Sequence, residues 1–500
     1  MPYYLLTGAT GLLGNYLLRD LLRANVPVAV LVRPSRRQSA RQRVELLLAK
    51  WDEEYGEALP RPVVLEGDIT QEDLGLDANN LRWAAEHCGA IINNAASLTF
   101  HATSEAGEPY RSNITGTKNV LEFARSAGIR EFHHVSTAYV AGLRSGRCLE
   151  TELNVGQEFG NDYEKTKVTS EQLVREADFI EQPTVYRPAI IIGDSQTGYT
   201  TTYHGFYAAL QLAHTLSQTL HRDDDTGLIA GQSVRLSLDG HETKNLVPVD
   251  WVSSAMTHII LHREWHGQTY HLTPKHPVTM RLIRDVLEHS IGFYGAQLCG
   301  SGFMPSDPTD VEALFHEHIR IYNSYWRMDP EFDRTNIERA TAHIPCPEVD
   351  RTMLLRLSRV AIQGGFPTPS KKPLELEFDA TQFLQSWLDQ GEQLVVQNPR
   401  ERQWALDVRG PGGGQWELVV RRGQLVAVEM GLHNESSTIC RTDADTFAEI
   451  MQGRLTWQTA FATGAAQVIG DSAATREATS LLSQLADVPV PSETPQPQTV

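Results

Sequence analysis

Paired cysteines, long apolar runs and clustered positive charge are all missing from this chain. Its five cysteines, Cys88, Cys148, Cys299, Cys346 and Cys440, are odd in number, scattered, and form no C-x-x-C pair. That argues against a disulfide framework or a structural zinc site. No apolar stretch approaches the ~20 residues a membrane helix needs. The opening MPYYLLTGATG has no basic segment followed by an apolar core and a small-residue cleavage site, so a cytoplasmic protein is expected. Lys and Arg number 44 against 62 Asp and Glu, a formal charge of -18, which sets nucleic acid aside as a partner. No metal site is expected. His316 and His318 stand two apart, not four, and read as ordinary helix residues. Asp223, Asp224 and Asp225 read as a solvated loop, and His133 and His134 as core histidines on a buried strand.

What the chain does have is alternation. YYLLTG, PVAVLVR, PVVLEGD, GAIINNAA, EFHHVST and TVYRPAIIIG are short apolar runs of the kind found when both faces of a parallel sheet are covered. Between them lie amphipathic segments such as GNYLLRDLLRAN, DANNLRWAAEHC and TGTKNVLEFARSAG. Strand and helix in turn predict an α/β fold, a Rossmann-type doubly wound parallel sheet. After Gly193 the pattern becomes irregular, and a small substrate-binding region is expected mainly in 194–245 and 275–363. A Gly, Pro, Ser and Lys-rich stretch at 364–374 reads as a linker. Beyond it, 375–487 reads as an α+β domain, with a helix at FLQSWLDQG and a three-stranded meander from QWALDVRG onward. Residues 488–500, rich in Pro, Thr and Gln, read as a disordered tail.

The first strand runs into TGATGLLG, where Gly8, Gly11 and Gly14 stand three apart at the start of a helix. Glycine lets backbone turn tightly and approach a pyrophosphate, whose charge meets the free amides of that helix. The spacing is G-x-x-G-x-x-G, not the more familiar G-x-G-x-x-G. The second strand ends VLVRPSRR. Arginines there, Arg33, Arg36 and Arg37, favour the extra phosphate of NADP over the bare ribose diol of NAD. Asp68, after the third strand, is placed either to receive the adenine amino group or to cap the next helix. In YEKTK, Tyr163 and Lys167 are one helical turn apart and point the same way. A nearby ammonium lowers a phenol's pKa from about 10 and readies it for proton transfer. Ser136 and Thr137 end a strand at the carboxyl edge of the sheet, where a hydroxyl can orient a carbonyl. Ala95 and Ala96 are small enough for a ribose to approach.

These strings, with NNAASLTF, HHVSTAYVAG, VYRPAIIIGDSQTG and NLVPVDWV, resemble an extended short-chain dehydrogenase/reductase over residues 1–363. The details are similar to the thioester reductase and fatty acyl-CoA reductase branch. The resemblance implies Tyr163 as general acid, Lys167 on the nicotinamide ribose, Thr137 beside the substrate carbonyl, and Asn113 in the proton relay. It implies a cofactor cradle of Gly8, Thr10, Gly11, Leu12, Leu13 and Gly14. Arg33, Arg37, Asp68, Ile69, Asn94, Ala95, Ala96, Tyr163, Lys167, Pro188 and Ile190 complete the expected contacts. NNAAS replaces a His-containing string frequent in that branch, which loosens the substrate assignment.

Residues 375–487 resemble a sterol-carrier-protein-2-like domain, whose family encloses an apolar lipid tunnel. The competing interpretation is that Trp387, Trp404, Trp416 and Trp457 fill a small core. A reductase joined to a lipid-binding module implies an apolar substrate, foremost a long-chain acyl thioester on coenzyme A or an acyl carrier protein, reduced with NADPH to aldehyde or alcohol. A sterol or nucleotide-sugar dehydrogenase or epimerase is the alternative within the superfamily. A nonenzymatic lipid-binding protein on a cofactor-fold scaffold is the alternative of another class.

Overall fold

The computed structural model describes residues 2–218, 233–303, 305–309, 312–313, 315–316, 327–366, 378–389, 402–421, 424–432, 438–470 and 482. The acidic run at 223–225, His318, most of the expected linker and the C-terminal tail lie outside the described residues.

A seven-stranded parallel sheet organises the first part: β1 (Tyr3–Thr7), β2 (Val28–Val32), β3 (Val63–Glu66), β4 (Cys88–Asn93), β5 (Glu131–Val135), β6 (Thr184–Pro188) and β7 (Thr269–Leu272). Their order is β7-β6-β5-β4-β1-β2-β3, the doubly wound arrangement with its switch point beside β1. The apolar runs read as strands are these strands. VAVLV of β2 is buried at all five positions because helices cover both faces. The seventh strand, TYHL, has no such run to announce it. It pairs with β6 from Thr269 opposite Val185 to Leu272 opposite Pro188.

Helices α1 (Leu12–Arg23), α2 (Ala40–Tyr55), α3 (Ala78–His87), α4 (Gly116–Ser126) and α5 (Asp162–Glu176) connect the strands. Leu17, Leu18 and Leu21 of α1 are fully buried, each contributing about 1.5–3 kcal/mol relative to exposure. α1 shares its core with a later helix, α7 (Val249–Leu261), through Val252, Ala255 and Ile259. The chain builds a second core from α6 (Phe206–Ser217), α8 (Met280–Ile291) and α9 (Arg351–Gln363). Phe206, Leu210, Val286, Leu354 and Leu357 fill it.

A separate C-terminal domain begins with α10 (Ala380–Asp389). Its five strands are β8 (Arg402–Arg409), β9 (Gly414–Arg421), β10 (Gln424–Met430), β11 (Ile439–Asp443) and β12 (Ala466–Ile469), in the order β10-β9-β8-β11-β12. The meander is therefore extended on one side, β8 pairing in parallel with β11. Trp404, Trp416, Phe447 and Trp457 pack in its core. Arg41 of α2 reaches this domain, donating to Thr381 Oγ1 at 2.8 Å and to the Gly412 carbonyl at 3.0 Å. Trp83 Nε1 donates to the Met430 carbonyl at 2.8 Å.

Candidate active site

The loop from β1 to α1 is shaped by contacts that only glycine permits. Gly8 has φ +70°, and a Cβ there would stand 2.8 Å from Ala95. A Cβ on Gly14 would meet the Gly8 carbonyl oxygen at 2.0 Å. Thr7 Oγ1 accepts from the amides of Asn94 and Ala95, both at 3.0 Å, binding the end of β4 to this turn. Gly11 caps α1 without a side-chain hydrogen bond, and no acidic residue occupies the helix's first turn. Its first amides are left for an anion.

These segments wall one side of a cleft of about 460 Å³. Gly8, Thr10, Gly11, Leu12, Leu13, Gly14, Arg33, Asp68, Ile69, Asn94, Ala95, Ala96, Thr137, Tyr163, Lys167, Pro188 and Ile190 all line it. Two expected residues do not. Arg37 is exposed in the loop after β2, its amide donating to Ser35 Oγ at 3.3 Å. The second arginine that lines the cleft beside Arg33 is Arg43 in the first turn of α2, which donates to Thr10 Oγ1 at 3.1 Å and to the Arg33 carbonyl. Burial, then the charge of Arg33, lowers the Arg43 pKa. Two guanidinium groups facing one cavity are short of negative charge. Asp68 is only a partial answer, 3.6 Å from Arg33, and its Oδ1 accepts from the Thr70 amide at 2.9 Å as a turn cap.

Asn113 is the second residue off the cleft wall. It sits in a π-helical turn, Arg111–Thr115, that leads into α4. Its Nδ2 donates to the Ser97 carbonyl at 3.1 Å and to Thr166 Oγ1 at 3.0 Å, and its Oδ1 accepts from the Ser97 amide at 2.8 Å. These bonds brace the loop after β4 against α5.

The start of α5 is set by Asn161, whose side chain accepts from the Glu164 amide at 3.0 Å. This cap puts Tyr163 in the first turn and Lys167 one turn on. The Asp162 amide donates to the Phe100 carbonyl at 2.9 Å, and Phe100 lies edge-on to Tyr163 at 6.2 Å. Lys167 is 3% exposed and donates to the Val135 carbonyl at 2.6 Å. Burial pushes its pKa down to about 8, partly opposed by Glu171. Burial pushes the Tyr163 phenol up to about 12, against a lowering hydrogen bond with Thr137. The net shift of this phenol is therefore upward and not downward as expected from the neighbouring lysine, because desolvation outweighs the hydrogen bond with Thr137. His134, behind Lys167, is pushed down to about 3 by burial and then by the lysine charge. It stays neutral, as a core histidine.

Arg43, Leu98, Phe100, Tyr139 and His204 also line the cleft and were not legible in the chain. For Arg43 the only signal is one basic residue among several. His204, 6.5 Å from Phe100, has its pKa lowered by burial.

A family model described as male sterility protein, an NAD-binding domain, matches residues 6–256. The chain belongs to the male sterility protein family. Members of this extended short-chain dehydrogenase/reductase group are NAD(P)-dependent oxidoreductases, and so is this chain. It is 27% identical over 287 residues to the nonribosomal peptide synthetase asaC of Aspergillus flavus, covering 54% of this chain and 26% of that protein. Likewise, it is 27% identical over 318 residues to the aldehyde reductase lnbA of the same fungus, covering 57% of this chain and 28% of that protein. The chain thus spans little more than a quarter of the length of these two curated relatives. Among solved structures, it is similar to the terminal R domain from the myxalamid PKS-NRPS biosynthetic pathway, with a TM-score of 0.59, 26% identity, 75% of this chain and 93% of that one covered. The family match ends before α8 and the C-terminal domain, and every residue that lines the cleft lies within it.

Proposed function

We propose that this chain uses NADPH to reduce an apolar carbonyl substrate, foremost a long-chain acyl thioester carried on coenzyme A or a carrier protein. The observation that carries the reading is the convergence of Thr137, Tyr163 and Lys167 on one cleft whose other end is a glycine turn that a Cβ would fill. Gly8, Gly11, Gly14 and the first amides of α1 would hold the pyrophosphate, Arg33 and Arg43 the 2′-phosphate, and Lys167 the nicotinamide ribose. The bound nicotinamide supplies a hydride.

The rest is the work of the chain. Thr137 and Tyr163 donate hydrogen bonds where negative charge gathers on the carbonyl oxygen, and the phenol then gives up its proton there. Loss of the thiol leaves an aldehyde, and a second round gives an alcohol. Asn113 holds the backbone around this group in register. The relatives named as a nonribosomal peptide synthetase and an aldehyde reductase support thioester and carbonyl substrates. We further propose the division into a reductase part at 1–363, a linker at 364–374, a lipid-binding, sterol-carrier-like domain at 375–487 and a tail at 488–500. The buried tryptophans of the C-terminal sheet pack as a core, so lipid binding there needs its own measurement.

Palmitoyl-CoA, a sterol ketone and a nucleotide-sugar, each offered with NADPH and with NADH, test the reading. Oxidation of NADPH with palmitoyl-CoA and formation of aldehyde or alcohol is the expected result. Turnover of the sterol or the nucleotide-sugar alone rejects it.

A further inference from the structure

Three donor groups with no part in the cleft meet at the opposite edge of the seven-stranded sheet. Glu131 opens β5, His133 follows two residues later on the same face, and His266 stands in the turn beyond α7. One ligand atom from each lies within 4.8 Å of the other two. His133 is fully buried, while Glu131 and His266 are half-buried, which leaves an ion a way in.

The spacing suits an ion better than a hydrogen bond. His133 Nε2 lies 3.4 Å from Glu131 Oε1. That is long for a contact whose usual range is about 2.7–3.2 Å. It matches the edge, about 3.4 Å, of a tetrahedron whose ligands stand ~2.1 Å from a central zinc.

The other ring nitrogens face outward. His266 Nε2 lies 3.1 Å from the carbonyl oxygens of both Ile259 and Ile260 at the end of α7. Carbonyls only accept, so that nitrogen carries the proton and Nδ1 keeps its lone pair. His133 Nδ1 lies 3.1 Å from the Tyr186 hydroxyl, leaving Nε2 for the carboxylate side. Histidines that ligate metals engage their second nitrogen in this way. Two groups compete for the carboxylate. The Tyr4 hydroxyl donates to Oε1 at 3.1 Å, and Arg263 lies 3.4 Å from Oε2 on a side chain 82% exposed and free to withdraw.

We propose that Glu131, His133 and His266 bind a divalent first-row cation of the zinc type. Two imidazoles and a carboxylate suit such an ion. It ties the start of β5 to the end of α7, and β5 puts it ~13 Å from the sheet's catalytic edge, so its role is to brace the sheet.

The full chain, stripped with a chelator and titrated with Zn²⁺, is expected to take up one equivalent by calorimetry and to melt at a higher temperature. Co²⁺ in place of Zn²⁺ is expected to give the visible absorption of a tetrahedral N/O site. Glu131→Gln and His266→Ala, at half-buried positions, are each expected to weaken binding at least tenfold while cofactor binding persists as a check on folding. His258 and His262, with ring centroids 4.1 Å apart, and His343, 4.4 Å from His258, are a rival cluster nearby. The double variant His258→Ala/His343→Ala is expected to bind Zn²⁺ as the parent does. No stoichiometric uptake by the parent, uptake that survives both single variants, or loss confined to the double variant each overturns the proposal.

Discussion

The ammonium of Lys167 donates to the carbonyl oxygen of Val135 at 2.6 Å, at the point where β5 ends and the strand gives way to Ser136 and Thr137. A buried cation is held against the carboxyl edge of the sheet by a backbone group that does not titrate. Its pKa of about 8 is then the one ionisation of the Tyr163–Lys167 pair within an ordinary working range.

That ionisation sets a pH profile. The Tyr163 proton, with a pKa of about 12, is present throughout, whereas the Lys167 charge is present below about 8 and lost above it. We expect kcat/KM to be level on the acid side of that value and to fall as pH rises through it, since kcat/KM reports the free enzyme. Lys167→Arg keeps its charge at all these values, and in that variant the alkaline fall should vanish. An unchanged fall assigns it to another group.

Tyr163→Phe removes the proposed proton donor and little else, because the ring keeps its edge-on contact with Phe100. Turnover should drop about 10²–10⁴-fold, with NADPH affinity nearly unchanged by fluorescence titration. Equal turnover would assign the acid role elsewhere.

Arg43→Ala should weaken NADPH about 10–100-fold, the range for a charged hydrogen bond of ~1.5–3 kcal/mol, and leave NADH nearly unaffected. Arg33→Ala should act in the same direction but less, since its side chain is 61% exposed and already near Asp68. Parallel losses for the two nucleotides would reject a phosphate contact.

Gly14→Ala is expected to abolish binding of both nucleotides and to lower the melting temperature. Its Cβ would fall 2.0 Å from the Gly8 oxygen, and neither backbone segment can yield without opening the turn. Retention of affinity would show the turn to be more plastic than this geometry.

Glu171 and Arg187 form a pair that is 0% and 1% exposed, with Arg187 Nη2 2.7 Å from Glu171 Oε1. Burial works against the carboxylate, but Arg187 and Arg175 bring its pKa down to about 2. A depressed carboxyl stabilises the fold above its unfolded pKa of ~4.3 and loses that contribution as pH falls toward the folded value. Arg187→Met should therefore cost about 3–5 kcal/mol near neutrality, as a broken buried pair does. The gap between variant and parent in denaturant melts should narrow below pH ~4.

Much of the reductase fold was legible because its signals are local. The apolar runs of β1 to β6, the triple glycine and the four-residue step from Tyr163 to Lys167 each occupy one short stretch. β7 escapes such reasoning because TYHL is buried by position, not by composition. Arg37 looks better placed than Arg43 for a similar reason: nearness in the chain to β2 says little about which face of α2 turns toward the cleft. In the C-terminal domain, the pairing of β8 with β11 joins segments about thirty residues apart, and no periodicity records it.

The sequence by itself determined the alternation of strand and helix, the glycine turn and the presence of a phenol and an amine on one helical face, because each depends on backbone preferences within a few residues. Only the tertiary structure decided that Phe100 lies against Tyr163, that Arg43 joins Arg33, that burial sets the two pKa values, and that Glu131, His133 and His266 meet. Those are consequences of which packed faces come together, and that depends on the whole core at once.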